Sequence, residues 1–344
     1  MRRKVTICVG VTPALQRTLR FSSLVLGDVN RCSAEPIESA SGKATNVARV
    51  VRLLSEYMTD LQEAGTTETV LVEFSGGETG EKYRSLLGFE SVYVETKAAT
   101  RICQTLLVDG EGEATELVEE AINPSEAEWS LFTETLAKQT AAIGDVSQCV
   151  GVLTGSPPPG SSPQTYKELL LVASARGLRF IVDSQKTPLT EALEARPWLV
   201  KINLQELEKT SFRQCTTEHE LRDTSYGLIN AGARNVVVTK GKDSAWLFSG
   251  DDMNTYYEMT PPKVQSRNPI GSGDSMAAGI AFYTSTRSKE SLSQVENLLE
   301  AVRFGIACGS ANAETETPGT VIPSRPFELV NSVSIKVRTV ASGV

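Results

Sequence analysis

Hydrophobic residues along the chain fall mostly into short unbroken runs, and the stretches between them repeat at helical spacing. Runs of strand length occupy residues 4–10 (KVTICVG), 69–75 (TVLVEFS), 149–155 (CVGVLTG), 179–184 (RFIVDS), 198–203 (WLVKIN), 235–241 (NVVVTKG) and 245–250 (AWLFSG). Between them, apolar positions three and four apart predict helices over 44–58, 79–89, 124–140, 163–177, 217–232 and 274–286. Strands without polar alternation are buried on both faces, so this alternation predicts an α/β fold with a parallel sheet covered by helices on each side. Two regions break the rhythm. Residues 16–41 and 100–120 read as half-polar, alternating strands, the second with a DGEG hairpin turn, and together they predict a small separate sheet.

Composition narrows what such a fold is for. The 344 residues are 40% hydrophobic and 22% charged, which suits an ordinary globular chain of one large domain or two. A net charge of −8 argues against nucleic acid as a partner, so any anionic ligand must meet local lysines and arginines. Cys8, Cys32, Cys103, Cys149, Cys215 and Cys308 form no C-x-x-C pair, which excludes a zinc ribbon and predicts reduced core thiols. The apolar run in MRRKVTICVG is too short for a signal peptide, and no membrane-spanning run occurs, so a cytoplasmic protein is expected. The sole histidine, His219, lies in the polar run TTEHELRD, where a solvated helix face is expected. Acid–base work therefore falls to carboxylates, lysine, tyrosine or cysteine.

One stretch carries chemistry on its face: NPIGSGDSMAAGIAF, residues 268–282. Gly271 and Gly273 let backbone approach a ligand, and the helix that starts near Asp274 points free N–H groups and a positive dipole end at it. As a plain N-cap, Asp274 would be unremarkable. Beside a phosphoryl group it would be repelled, unless it takes the proton of the hydroxyl that attacks that group. No P-loop supplies the phosphoryl donor, because GGETGEKY (76–83) has Glu81 where the lysine is required, and the protein-kinase signatures are absent. The loops GSPPPG, DSQKTP, KINLQE and TKGKDS follow predicted strands, where doubly wound sheets bind ligands, although each alone signals only a turn.

Taken in order, SGKATNVARVVRLL, GGETGEKYRSLL, TRICQTLLV, TGSPPPG, IVDS, LVKINLQEL, VVVTKGKDSAWLF and NPIGSGDSMAAGIAF resemble the ribokinase-like, phosphofructokinase B type carbohydrate kinase family. The likeness runs from about residue 4 to residue 323 and is strongest to the sugar-phosphate branch of 1-phosphofructokinases, minor 6-phosphofructokinases and tagatose-6-phosphate kinases. It implies one kinase domain over 1–344: a Rossmann-like, mostly parallel sheet with helices on both faces and a small β-sheet lid built from 16–41 and 100–120. The implied activity is transfer of a phosphoryl group from ATP to a hydroxyl of a ketohexose phosphate, with Mg²⁺, K⁺ as a further candidate, and a homodimer formed through the lid. Asp274 would be the base, and Gly271, Ser272 and Gly273 the anion hole. Asn203 and Glu206, matching the family's Asn-x-x-Glu, would organise Mg²⁺ and the ATP phosphates, Glu206 through water, with Lys201 reaching the phosphates and Thr239, Gly241 and Ser266 lining the nucleotide side. Gly42 and Asn46 would contact the sugar, Arg101 would read its phosphate with Arg31 or Lys43 as helpers, and Ser156 would sit near the same group.

The chain departs from that pattern in three places. Gln16 stands where the branch has an aspartate that accepts hydrogen bonds from sugar hydroxyls, Ser41 and Ala44 replace glycines, and Ser244 replaces another. The resemblance leaves two rivals: a kinase of an unphosphorylated sugar or nucleoside, which would not need Arg101, and a non-catalytic sugar-phosphate binder, for which Gln16 speaks and Asp274 does not.

Overall fold

The continuous apolar runs become the interior strands of a ten-stranded sheet, and the alternating regions form a second sheet of four strands. The computed structural model describes residues 4–63, 66–110, 114–286 and 293–340. In chain order the elements are β1 (Val5–Gly10), β2 (Ala14–Phe21), β3 (Ile37–Ser41), α1 (Lys43–Asp60), β4 (Glu68–Ser75), α2 (Gly77–Leu87), β5 (Val92–Glu95), β6 (Arg101–Val108), β7 (Ala114–Val118), α3 (Glu126–Ala141), β8 (Val150–Thr154) and α4 (Thr165–Ser174). There follow β9 (Arg179–Asp183), α5 (Lys186–Ala192), β10 (Leu199–Asn203), α6 (Leu204–Ser211), α7 (Glu218–Asn230), β11 (Asn235–Lys240), β12 (Ser244–Ser249), β13 (Asp252–Thr260), α8 (Ser272–Thr286), α9 (Gln294–Ala313), α10 (Arg325–Leu329) and β14 (Ser334–Thr339).

The large sheet has the order β14-β13-β12-β11-β10-β9-β8-β1-β4-β5. From β11 to β5 every pairing is parallel, whereas β12, β13 and β14 are added antiparallel. Both faces are buried, as unbroken apolar strands require: in β11, Val237 packs with Met276, Ala277 and Phe304 on one side while Val236 and Val238 pack with Leu207 and Leu221 on the other. From β1 the chain goes to β4 on one side and later to β8 on the other. That reversal opens a crevice at the carboxyl ends of β1 and β8, the usual ligand position in such sheets.

The small sheet has the order β3-β2-β6-β7, with β2 and β6 parallel and both outer pairings antiparallel. It is the expected small separate sheet, called the lid below, and the bond from Arg20 Nη2 to Glu316 Oε1 (2.9 Å) ties it to the loop beyond α9. Of the expected DGEG turn at 109–112, residues 111 and 112 lie outside the described residues. His219 is exposed on α7, 3.2 Å from Asp223. None of the six cysteines is in a disulfide, and all but the exposed Cys32 are buried, so the expectation of core thiols holds for five of the six. No helix among the described residues is long and apolar enough to cross a membrane.

Candidate functional site

The turn before α8 is shaped by backbone contact. Gly271 has φ +81°, and a Cβ there would stand 2.4 Å from the Gly319 amide nitrogen, so only glycine lets the two loops abut. Asn312, at the end of α9, fixes the turn by donating to Ile270 O (2.9 Å) and Ser272 Oγ (3.2 Å). A Cβ on Gly273 would stand 3.0 Å from Lys201 Nζ, so this glycine lets an ammonium lie against the helix start. Helix N-terminus and lysine together make a place for phosphate oxygens.

Lys201 belongs to a buried charge cluster. Its Nζ lies 2.7 Å from Asp183 Oδ2, while Lys43 Nζ lies 3.5 Å from Asp183 Oδ1 and 3.9 Å from Glu206 Oε1. Burial pushes the Asp183 carboxyl up, but Lys201 and Lys43 outweigh it and hold the group below its usual range. Lys43 is raised, first by Asp183, and so stays charged in the cleft. Asn203 and Glu206 form a capping box on α6: Glu206 N–H donates to Asn203 Oδ1 (2.9 Å) and Asn203 N–H to Glu206 Oε2 (3.1 Å). The box leaves Glu206 Oε1 turned toward Lys43.

Asp274 lies in the first turn of α8 and is 6% exposed. Its Oδ2 accepts from Asn46 Nδ2 at 2.8 Å. Asn46 is itself oriented by Ser41 Oγ (3.2 Å) and Arg49 Nη1 (3.4 Å), both donating to its Oδ1. Burial pushes the Asp274 carboxyl up to about 6, with Asp183 adding to the rise while Lys43, Asn46 and Lys201 pull against it. A carboxylate held this way is ionised at neutral pH yet basic enough to take a proton. The bond to Asn46 also joins the start of α8 to the start of α1, where Gly42 (φ +116°) brings the chain within 2.9 Å of Pro13 Cα for a would-be Cβ.

Beyond Gly42, Thr12 gathers the remaining residues expected on the acceptor side. Arg101 Nη2 donates to Thr12 O and its Nη1 to Glu119 O, each at 3.2 Å, and its Nε is buried without a hydrogen bond. Thr12 Oγ1 donates to Ser156 O (3.4 Å). Gln16, buried in the lid, donates through Nε2 to Thr105 Oγ1 (2.9 Å) and Arg17 O (3.4 Å), which leaves Oε1 as the atom it can offer.

The nucleotide-side residues are less tightly gathered. Thr239 pairs in register with Asn203 at the same sheet end. Gly241 is exposed in the turn after β11, Ser266 is exposed ahead of α8 and Arg31 is exposed in the lid, and no bond among the described residues ties these three to the cluster. Sequence reasoning missed Asp183, the group that both lysines meet. Its signal was a carboxylate ending the apolar run RFIVDS, where a doubly wound sheet places its ligands. Among the described residues no three His, Cys, Asp or Glu gather into a metal-ligand set. Asp183 and Glu206 instead suit a hard cation that arrives with phosphate and water ligands of its own.

Comparison with known proteins gives this geometry a family. A family model described as pfkB family carbohydrate kinase matches residues 19–325. A 1-phosphofructokinase of Vibrio cholerae is 29% identical over 90% of this chain and 93% of its own. The ATP-dependent 6-phosphofructokinase isozyme 2 of Escherichia coli is 32% identical over 82% of this chain and 83% of its own. Solved structures of phosphofructokinase-2 from Escherichia coli, one in complex with potassium and one with fructose-6-phosphate, match with a TM-score of 0.79 at 27% identity, covering 96% of this chain and 99% of theirs.

Proposed function

The chain belongs to the pfkB family of carbohydrate kinases, and from that membership we propose that it transfers the γ-phosphoryl group of ATP to a hydroxyl of a ketohexose phosphate. The observation that carries this reading is the bond between Asp274 and Asn46 beside Lys43 and Lys201, which sets a raised-pKa carboxylate between a phosphate site and an acceptor site. Asp274 takes the proton of the attacking hydroxyl. The N–H groups of Gly271 to Gly273, with Lys201 and Lys43, balance charge on the transferring phosphoryl, so catalysis rests on positioning and electrostatics. Mg²⁺, when bound, neutralises the ATP phosphates; Glu206, through water, and Asn203 would hold it, beside Asp183.

Arg101 supports a phosphorylated acceptor over a plain sugar or nucleoside. Two backbone carbonyls fix its guanidinium while a buried Nε keeps a donor spare, an arrangement suited to an anion. Gln16 alone favours a non-catalytic binder, and the intact Asp274–Asn46 pair outweighs it. We further propose a cytoplasmic homodimer formed through the lid, with K⁺ as a further candidate cofactor, in keeping with the Escherichia coli relative's complex with potassium. The test is ADP release with fructose 6-phosphate, fructose 1-phosphate and tagatose 6-phosphate against their unphosphorylated parents. At least one phosphorylated sugar should exceed its parent in kcat/KM by about 100-fold or more, as loss of a charge-assisted pair implies. Equal rates for sugars and parents would overturn the reading.

A further inference from the structure

One buried carboxylate has no part in the chemistry above. Glu73, near the carboxyl end of β4 and in register with Gly10 of β1, is 1% exposed. Its Oε2 accepts from the Tyr83 hydroxyl at 2.5 Å. Thr45 Oγ1 lies 2.7 Å from the same phenol oxygen and donates weakly to Oε2 at 3.4 Å. The other carboxyl oxygen, Oε1, is buried and has no hydrogen bond. An acceptor taken out of water without a donor is costly, so its persistence inside a close-packed core needs a reason.

Glu73 forms a wall of a small pocket beneath the first turn of α1, with room for about one water-sized group, together with Thr12, Gly42, Lys43, Thr45 and Thr154. Thr12, Gly42 and Lys43 are the same residues that edge the acceptor side. A second metal cation is opposed there by the Lys43 ammonium, and an anion by the carboxylate itself. A neutral hydroxyl donor satisfies the spare oxygen without adding charge. Burial pushes the Glu73 carboxyl up to about 7 against the pull of the Tyr83, Ser91 and Thr45 hydroxyls and of Arg84, and one more donor would favour its charged form.

We propose that Glu73 is a specificity-determining residue of the acceptor pocket, its Oε1 receiving a hydroxyl of the sugar phosphate while Tyr83 and Thr45 hold the carboxyl in place. This rests on the reading of the chain as a sugar-phosphate kinase. It assigns to a group on the pocket floor part of the choice among sugars that Gln16 faces from the lid.

The experiment compares the native chain with Glu73→Leu and Glu73→Gln on fructose 6-phosphate, fructose 1-phosphate, tagatose 6-phosphate and the deoxy analogues of whichever is accepted. Leucine removes the acceptor atom, so KM for the sugar should rise about tenfold or more while KM for ATP stays within about twofold. The melting temperature should change little, because the lost bond from Tyr83 is offset by removal of a buried, partly unpaired carboxyl. Glutamine keeps one acceptor oxygen and should return the sugar KM to within about threefold of native. One deoxy analogue should lose about tenfold with the native chain and nothing further with Glu73→Leu, as two changes to one contact do. Should the leucine variant fail to fold, the same analogue decides with Glu73→Gln, where its loss should shrink at least threefold, as expected when a charged acceptor becomes neutral.

A native sugar KM in Glu73→Leu, KM rises for sugar and ATP together with a lowered melting temperature, or analogue losses indifferent to residue 73 would overturn the proposal and leave the kinase reading intact. A native chain that phosphorylates none of the three sugars would instead overturn the kinase reading, and this inference with it.

Discussion

Asp274 is where activity and stability pull in opposite directions. Its carboxyl titrates near 6 in the folded chain against a usual 3.8, so the folded state binds this proton more tightly than the unfolded state does. The stability tied to it is therefore fully present below about pH 4 and lost as pH rises through about 6. Asp274→Asn removes that loss. The stability difference between variant and native chain, read from urea unfolding, should grow in the variant's favour by about 2–3 kcal/mol between pH 4 and pH 8. The same change removes the base, so kcat should fall about 100-fold or more while ATP binding survives. Sign and window reverse for catalysis: kcat/KM of the native enzyme should drop about tenfold per pH unit below about 6, since the base works ionised. A variant with normal turnover, or a profile flat down to pH 5, would remove Asp274 from the mechanism. Gln16 poses a subtler question, because both of its N–H donors are used within the lid and it offers the sugar one neutral oxygen. Aspartate would offer charged acceptors from a shorter stem. With each mismatched buried polar group costing about 1–3 kcal/mol, Gln16→Asp should change the ratio of kcat/KM for fructose 6-phosphate and fructose 1-phosphate by about tenfold or more. An unchanged ratio would show that residue 16 does not read the sugar.

Between elements, the contact that matters most to the site is α8 against α9, and it was invisible in the sequence. From Phe304 to Asn312 every residue of α9 is buried, so no polar face marks a helical period, and the run of Gly, Ala, Cys and Ser reads as featureless. The interior parallel strands β1, β4 and β8 to β11 were legible because burial on both faces leaves unbroken apolar runs. β13 and β14 were not, because their alternating polar residues belong to a half-exposed antiparallel edge. The site shows the same division. Asp274 and its glycines announced themselves by spacing, whereas Asp183 and Glu73 are single carboxylates whose meaning depends on Lys43, Lys201 and Tyr83 arriving from distant elements. The α8–α9 contact makes its own prediction. A Cβ on Gly305 would stand 2.7 Å from Met276 O, and one on Gly309 would stand 2.9 Å from Ser272 O, at the anion hole. Gly305→Ala should therefore lose about 1–3 kcal/mol by overpacking, offset in part by alanine's better helix propensity of ~1 kcal/mol, with kcat little changed. Gly309→Ala presses on the Ser272 carbonyl and should lower kcat more than it lowers stability. Denaturant unfolding and steady-state kinetics on both variants separate the two effects, and identical behaviour would mean that α9 does not set the anion hole.

At the scale of the whole molecule, the proposed dimer would link assembly to acceptor binding through the lid. Its outer parts carry more exposed apolar side chains than its size warrants, among them Val25, Leu26 and Val29 in the β2–β3 connection and Leu117 and Val118 on the edge strand β7. An unpaired edge of that kind invites a second copy of itself, which is the physical case for a dimer through the lid. β7 also leads directly into Glu119, whose carbonyl oxygen holds Arg101 Nη1 at 3.2 Å. Whatever steadies β7 therefore steadies the guanidinium proposed to face the acceptor's phosphate. Leu117→Lys should block pairing by placing charge on the edge, and sedimentation should then find a monomer at micromolar concentration, where the native chain should be a dimer. The monomer should keep its KM for ATP, since Lys201 and the α8 turn lie in the body, but its KM for the sugar phosphate should rise about tenfold as Arg101 loses its support. A variant that stays dimeric would move the interface off the lid. One that becomes monomeric with an unchanged acceptor KM would cut the link between assembly and Arg101, leaving each lid to close over its own site without its partner.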